Sequence, residues 1–225
     1  MNFTGKVALV TGAANGIGLA SAMGFAAGGA RLAVVDRDGA GAEAAAAAIR
    51  QLGGEAVAIT ADVTRSADVR AYVQATLDAF GRIDCFHNNA GIEGRVAPTA
   101  EYDEDVFDAV IAVNLRGVFL GLRHVLPVML RQGGGAVVNT ASVAGLVGSP
   151  GMPAYVASKH GVIGLTKVAT GEVGRAGVRV NAVCPGLIET RMLHDLHRQI
   201  SPNNRDGPRA AYQQVIPQGR FGTAE

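Results

Sequence analysis

Residues 11–18 read TGAANGIG, and this short stretch decides the fold of the chain. It follows an apolar run from Lys6 to Thr11, typical of a buried strand, and leads into a helical segment from Gly16 to Gly29. Glycines at such a junction let the backbone turn sharply and approach a pyrophosphate, which then lies at the positive end of the helix. The spacing is GxxxGxG rather than the common GxGxxG, so a tight turn without a ligand is the alternative. The residues that we expect to contact a dinucleotide here are Gly12, Asn15, Gly16, Ile17 and Gly18.

From this glycine loop onward, strand and helix patterns alternate along the chain. Short apolar runs predict further strands at Arg31–Asp36, Glu55–Ala61, Ile83–Asn88, Ala136–Ala141 and Val178–Cys184. Helical patterns lie between them, at about Gly41–Leu52, Ser66–Phe80 with Ser66 as N-cap, Glu104–Asn114 and Pro153–Gly174. The helix from Glu104 either continues or restarts over Arg116–Arg131. Such alternation predicts right-handed βαβ units. The expected fold is therefore α/β, a Rossmann-type doubly wound parallel sheet in a single domain over residues 1–225.

Composition and charge exclude several classes of partner. The 225 residues carry a net charge of +1 with both signs interleaved, so we expect no nucleic acid partner. The N-terminus lacks a signal-type pattern and no apolar stretch approaches the roughly 20 residues that span a bilayer, which predicts no membrane association and a cytoplasmic location. No His, Cys and acid cluster has ligand spacing, so we expect no metal. Cys85 and Cys184 are expected to be buried free thiols.

Polar residues follow the second, third and fourth predicted strands. Asp36 lies about 20 residues beyond the glycine loop, where an acid accepts hydrogen bonds from ribose hydroxyls and repels a 2′-phosphate. This favours NAD over NADP, although Arg37 could contact a phosphate and Asp36 could simply cap its strand. Asp62 and Val63 are expected near the adenine, with a turn before a helix as the alternative. The fourth strand ends in a turn that is expected to brace the glycine loop and includes Asn89, Ala90 and Gly91.

The segment Tyr155-Val156-Ala157-Ser158-Lys159 carries the chemistry. On a helix, residues i and i+4 share one face, so the phenol and the ammonium project together. A phenol has a pKa near ~10 and needs a neighbouring cation to exchange a proton at neutral pH. Ser142 follows the fifth strand at the same sheet edge, where its hydroxyl could hold a substrate oxygen. Asn114, a poor helix former within a helical pattern, could hold a water beside Lys159 or simply face solvent.

Taken together, these segments resemble the short-chain dehydrogenase/reductase family over essentially the whole chain, from Lys6 to Glu225. The family's Asn-Asn-Ala-Gly motif corresponds to residues 88–91, and its catalytic residues correspond to Asn114, Ser142, Tyr155 and Lys159. The resemblance adds a cofactor-binding segment after the sixth strand that comprises Pro185, Gly186, Ile188 and Thr190. It also implies that Tyr155 and Lys159 contact the cofactor.

The family resemblance further implies a homotetramer and a longer C-terminal region. Family members generally continue through another helix and a seventh strand, and Thr223-Ala224-Glu225 resembles the opening of such a helix. We therefore expect this chain to lack the last strand of the family fold. The helix from Pro153 offers small residues for close packing against a two-fold partner, namely Ala157, Gly161 and Gly164.

The predicted activity is reversible hydride transfer between a secondary alcohol and NAD. Tyr155 transfers the proton, Lys159 lowers the pKa of Tyr155, and Ser142 holds the substrate oxygen. The substrate is expected to be an apolar or cyclic secondary alcohol or ketone. The reason is that the expected walls of the substrate pocket, including a lid segment at about 187–215, are mainly apolar. The apolar residues expected there are Val143, Leu146, Met152, Leu187 and Met192. Glu93 and Arg95, just after the Asn-Asn-Ala-Gly turn, could recognise a polar substituent of the substrate, but we expect them to be solvated loop charges. His194 and His197 are expected to be surface residues rather than ligands.

Two alternatives stay open at this point. One is an NAD-binding sensor without turnover, which would not need a phenol–ammonium pair. The other is a ketoreductase acting on 3-oxoacyl thioesters, which usually goes with NADP and is disfavoured by Asp36.

Overall fold

A computed structural model describes residues 1–204 and 206–225 of the chain. The described residues form a six-stranded, all-parallel sheet in the order β3-β2-β1-β4-β5-β6. Its strands are β1 (Val7–Thr11), β2 (Arg31–Asp36), β3 (Ala56–Thr60), β4 (Cys85–Asn88), β5 (Gly135–Thr140) and β6 (Val178–Val183). The strand order reverses between β1 and β4, so the carboxyl ends of these two strands open a crevice in which ligands bind in folds of this type. The predicted Rossmann-type sheet is confirmed.

Helices connect the strands and cover both faces of the sheet. In the described residues they are α1 (Gly16–Ala27), α2 (Gly39–Gln51), α3 (Ser66–Phe80), α4 (Glu104–Ile111), α5 (Gly117–Gln132), α6 (Pro153–Val173), α7 (Arg191–Ile200) and α8 (Asp206–Val215). The last two belong to the predicted lid segment, within which Arg205 lies outside the described residues.

The core consists of two clusters, one on each face of the sheet. Because successive residues of a strand point to opposite faces, Ala8 and Val10 pack with the alanine-rich α2, whereas Leu9 packs on the other side. The second cluster includes Tyr72 and Phe86, both fully buried. Each large side chain buried in this way stabilises the fold by about 1.5–3 kcal/mol. Coverage on both faces holds the carboxyl ends of the strands in fixed register.

The predicted N-cap of α3 is wrong. Ser66 is the first residue of α3 rather than its N-cap, which is Arg65 without a side-chain cap bond. The turn before α3 is instead closed by Asp62, whose carboxylate accepts hydrogen bonds from the Thr64 amide at 2.9 Å and hydroxyl at 2.8 Å. Near the end of the described chain, Gly222 pairs with the segment that follows β6, and the helix opening expected at residues 223–225 stays a prediction.

Of the two alternatives for the helical pattern after Asn114, the structure shows continuation, because one helix runs from Glu104 to Gln132. A π-helical turn at Ala112–Arg116 absorbs the irregularity and leaves Asn114 fully buried. By length and composition this helix could cross a membrane, contrary to the expectation that no stretch is long enough. Here it is a core helix, since α5 packs on the sheet and on α3 and α6.

The two cysteines are free, as predicted, but they are not buried. Cys85 is half-buried and Cys184 is exposed at the end of the edge strand β6. Both thiols are therefore more accessible than the apolar sequence around them suggested.

Candidate active site

The glycine loop between β1 and α1 is packed too tightly for side chains. Gly12 and Gly16 have φ of 65° and 54°, in the left-handed region that favours glycine. A Cβ on Gly12 would lie 2.8 Å from the Ala90 Cα, and a Cβ on Gly18 would lie 2.0 Å from the Gly12 carbonyl oxygen. The loop therefore depends on these glycines for its close contact with the turn that follows β4.

The N-terminus of α1 is suited to an anion. Asn15 is the N-cap residue, but its side chain makes no capping hydrogen bond, and the first turn holds no acidic residue. The first N–H groups of a helix have no partner within the helix, and the macrodipole makes this end positive. The loop and the helix end together fit the pyrophosphate of a dinucleotide.

Asp36 faces this loop from the end of β2. Its Oδ2 accepts a hydrogen bond from the Ala14 amide at 3.0 Å, and its Oδ1 accepts one from the Asp38 amide at 3.0 Å. The carboxylate is thus fixed beside the glycine loop, where it lines the same cavity as Arg37.

A chain of hydrogen bonds ties the glycine loop to β4 and β5. The Asn89 side-chain amide donates to the Thr11 carbonyl at 3.0 Å, and its oxygen accepts from the Thr140 hydroxyl at 3.1 Å. The His87 ring nitrogen Nε2 lies 2.9 Å from that same hydroxyl. Since the hydroxyl proton is given to Asn89, His87 serves as the donor, and burial lowers the pKa of His87 to about 4. The bracing role expected of Asn89 is visible here, whereas the sequence did not point to His87 or Thr140.

Lys159 is deeply buried on α6, one turn after Tyr155. Its Nζ donates to the Thr140 carbonyl at 2.7 Å and lies 5.5 Å from the centre of the Tyr155 ring. Burial lowers the pKa of Lys159 to about 8, against a smaller opposing effect of Cys184. The ammonium is therefore held beneath the phenol by a backbone carbonyl of β5.

Tyr155 and Ser142 form a pair at the cavity wall. Burial raises the pKa of Tyr155, a hydrogen bond with Ser142 lowers it, and the nearby Glu93 charge raises it further. The net direction is upward, which differs from the expected lowering by Lys159. The physical reason is that burial is the largest cause, and it outweighs the hydrogen bond with Ser142.

Asn114 joins three segments of the site. Its Oδ1 accepts from the Ile92 amide at 2.8 Å, and its Nδ2 donates to the Ile92 carbonyl at 2.9 Å and to Ser158 Oγ at 3.2 Å. A Cβ on Gly91 would meet both Asn114 Oδ1 at 3.3 Å and Lys159 Nζ at 3.6 Å. The solvent-facing alternative for Asn114 is wrong, while its role in holding a water stays a prediction.

One cavity of about 670 Å³ brings most of the predicted residues together. Those that line it are Gly12, Asn15, Gly16, Ile17, Asp36, Asp62, Val63, Asn89, Ala90, Gly91, Ser142, Tyr155, Lys159, Pro185, Gly186, Ile188 and Thr190. Gly18 and Asn114 do not line the cavity. They contact the residues that do, as described above.

A model of the short chain dehydrogenase family matches residues 6–201. The chain belongs to this family. It is 47% identical over 224 residues to levodione reductase of Leifsonia aquatica, a match covering 99% of this chain and 84% of that protein. It is also 46% identical to D-threitol dehydrogenase of Mycolicibacterium smegmatis, with 96% of this chain and 80% of the relative covered.

Solved structures agree with this assignment. The crystal structure of levodione reductase superposes with a TM-score of 0.97, covering 99% of this chain and 87% of that one. NAD+-bound xylitol dehydrogenase, 35% identical, gives a TM-score of 0.94 and covers 100% and 89% of the two chains. The family and fold predicted from sequence are confirmed, and the chain is an oxidoreductase acting on CH–OH groups.

At the substrate end of the cavity, the wall residues of this short-chain dehydrogenase differ in part from those predicted from the sequence. Four of the five predicted apolar wall residues line the cavity, namely Val143, Met152, Leu187 and Met192. Leu146 does not, and it is 61% exposed. The structure adds wall residues that the sequence did not single out, which are Val147, Leu196 and Tyr212.

The prediction for His197 in the lid segment is wrong. It was expected at the surface, like the exposed His194, but it is only 4% exposed. Its ring stacks on Tyr212 with centroids 5.7 Å apart and lies 5.9 Å from the Phe221 ring. His197 therefore joins α7, α8 and the end of the chain into one packed unit.

Proposed function

We propose that this protein is an NAD-dependent dehydrogenase that interconverts a small apolar or cyclic secondary alcohol and its ketone. The observation that carries the proposal is that Tyr155, Ser142 and Lys159 line one cavity that also reaches the glycine loop and Asp36. The names of the relatives above, which include reductases and polyol dehydrogenases, support this class of reaction.

Each residue of the site has a distinct role in the proposed reaction. A bound nicotinamide would supply or accept the hydride. Ser142 holds the substrate oxygen, and Tyr155 takes its proton during oxidation or returns it during reduction. Lys159, with Nζ 5.5 Å from the centre of the Tyr155 ring, contributes a positive charge that favours the phenolate form, and this phenolate accepts the proton of the substrate hydroxyl during oxidation. The apolar walls exclude water, which strengthens these electrostatic effects.

Asp36 supports NAD rather than NADP as the cofactor. Both carboxylate oxygens accept backbone N–H bonds, so the group is fixed at the loop instead of turning away from it. A 2′-phosphate placed there would meet a fixed negative charge. Arg37 also lines the cavity, so parallel assays with NAD and NADP are the direct test.

The test of the function is a screen of secondary alcohols and ketones with both cofactors. Wild-type protein should turn over some of them, and Tyr155→Phe should lower kcat by about 100-fold or more, since it removes an acid–base group. NADH binding, measured by fluorescence, should stay within a few-fold. Full activity in the variant would overturn the role of Tyr155, and binding without any turnover by wild type would favour a cofactor sensor.

We also infer that the protein acts in the cytoplasm as a homotetramer. Exposed apolar side chains on neighbouring helices support assembly, with Phe119 on α5 and Val168 on α6. Gly161 does not serve as a partner contact, because a Cβ there would lie 2.8 Å from Leu115 of the same chain. Light scattering on the purified protein would establish the number of subunits.

A further inference from the structure

Glu93 is a carboxylate at the substrate end of a largely apolar cavity. It follows the Asn-Asn-Ala-Gly turn, lines the cavity with Tyr155 and Ser142, and is half-buried rather than solvated as the sequence suggested. The neighbouring Arg95, for which the same expectation was made, is indeed exposed. An acid in this position is within reach of a molecule bound in the cavity.

The carboxylate of Glu93 has hydrogen-bonding capacity to spare. Burial raises its pKa, and no other described residue donates a hydrogen bond to it. A carboxylate offers about four acceptor positions. Several of these are therefore available to a molecule bound in the cavity.

The loop that carries Glu93 is held rigidly against the lid. Gln199 of α7 donates from Nε2 to the Gly94 carbonyl at 3.1 Å and accepts at Oε1 from the Val96 amide at 2.9 Å. Gly94 has a φ of 75°, and a Cβ there would lie 2.7 Å from the Tyr102 hydroxyl. The backbone next to Glu93 is thus positioned before a substrate binds, which reduces the entropy lost on binding.

The charges around Glu93 balance one another. Arg191 and Arg198 lower its pKa, whereas Asp195 raises it, and Arg198 already pairs with Asp195. The two cations, Arg191 and Arg198, thus balance the two carboxylates, Glu93 and Asp195. Together these four charges exert no strong net attraction on a cationic ligand. A neutral hydrogen-bond donor is the better partner for this site.

We propose that Glu93 is a specificity-determining residue that accepts a hydrogen bond from a second hydroxyl of the substrate. This inference rests on the proposed function and narrows it to diols and hydroxy ketones. The reacting hydroxyl lies at Tyr155 and Ser142, and the carbon frame between the two hydroxyls contacts the apolar wall.

The experiment compares cyclohexanol with 1,2-, 1,3- and 1,4-cyclohexanediol. Wild-type protein should have a higher kcat/KM for at least one diol than for cyclohexanol. Glu93→Leu should lower that ratio by about tenfold or more, the scale for losing a hydrogen bond to a charged group. Glu93→Gln still accepts a hydrogen bond through its amide oxygen, so its diol-to-cyclohexanol ratio should lie between those of wild type and Glu93→Leu. The matched control is Glu101→Gln, which removes the same charge at an exposed position outside the cavity lining.

A binding measurement separates this proposal from the proposed function. Calorimetry on the NADH complex should show that Glu93→Leu weakens binding of the preferred diol but not of cyclohexanol, whether or not turnover occurs. Such selectivity without turnover would reject the dehydrogenase function and keep the role of Glu93. An unchanged diol-to-cyclohexanol ratio, an equal loss for both compounds, or a wild-type preference for 4-aminocyclohexanol over every diol would overturn the proposal.

Discussion

The two halves of the active-site cavity are built in different ways. The cofactor half is held by glycines and by hydrogen bonds to the backbone of β1 and the glycine loop, such as those of Asn89 with Thr11 and of Asp36 with Ala14. The substrate half depends on side chains of the lid, such as Gln199, reaching a loop far away in the sequence. The cofactor half is thus fixed by short motifs, whereas the substrate half can change with single substitutions.

The largest expected effect tests the tight backbone of the cofactor half. Gly18→Ala places a Cβ 2.0 Å from the Gly12 carbonyl oxygen, so the loop must shift. We expect a loss of about 1–3 kcal/mol in the free energy of unfolding, as for other overpacked sites, together with weaker NADH binding. Chemical denaturation and fluorescence titration measure the two effects.

Gly24→Ala is the control for that substitution, because Gly24 lies on the same helix and a Cβ there meets nothing within 4 Å. It should leave NADH binding unchanged and raise stability slightly, since alanine favours the helix. If both variants bind NADH like wild type, the cofactor half does not depend on the close contact at Gly18.

A smaller effect concerns the choice of cofactor. Asp36→Ala removes the fixed charge, and we expect the ratio of kcat/KM with NAD to that with NADP to fall by about tenfold. Asp38→Ala is the control, because Asp38 caps α2 through the Gly41 amide at 3.0 Å and does not line the cavity. It should cost about 1 kcal/mol of stability but leave the ratio unchanged. A constant ratio in the Asp36 variant would show that another group selects the cofactor.

The smallest effect tests the lid. Gln199→Ala removes both hydrogen bonds to the Glu93 loop, so KM for the alcohol should rise a few-fold while NADH binding stays the same. Gln132→Ala is a matched control, since Gln132 holds the Ile83 amide at 2.9 Å and carbonyl at 2.8 Å in the same manner. That variant should lose stability without a change in KM. Equal changes in KM for both would mean that the lid contact has no specific role.

Residues close together in sequence explain why the cofactor half could be predicted. The glycine loop follows a buried strand directly, and Tyr155 and Lys159 are one helical turn apart, so local geometry alone places them. The carboxyl ends of parallel strands meet at one edge, which brings Asp36 and Ser142 to the same cavity. The sequence by itself therefore determined the sheet, the cofactor crevice and the phenol that faces it.

Only the tertiary structure decided the surroundings of these groups. Periodicity shows which face of a segment is buried but not which distant segment covers it. The burial of His197 under Phe221, the exposure of Leu146 and the turn of Glu93 into the cavity all depend on such distant partners. The ammonium of Lys159 likewise points to a carbonyl of β5, because that strand lies beneath α6 only in the folded chain.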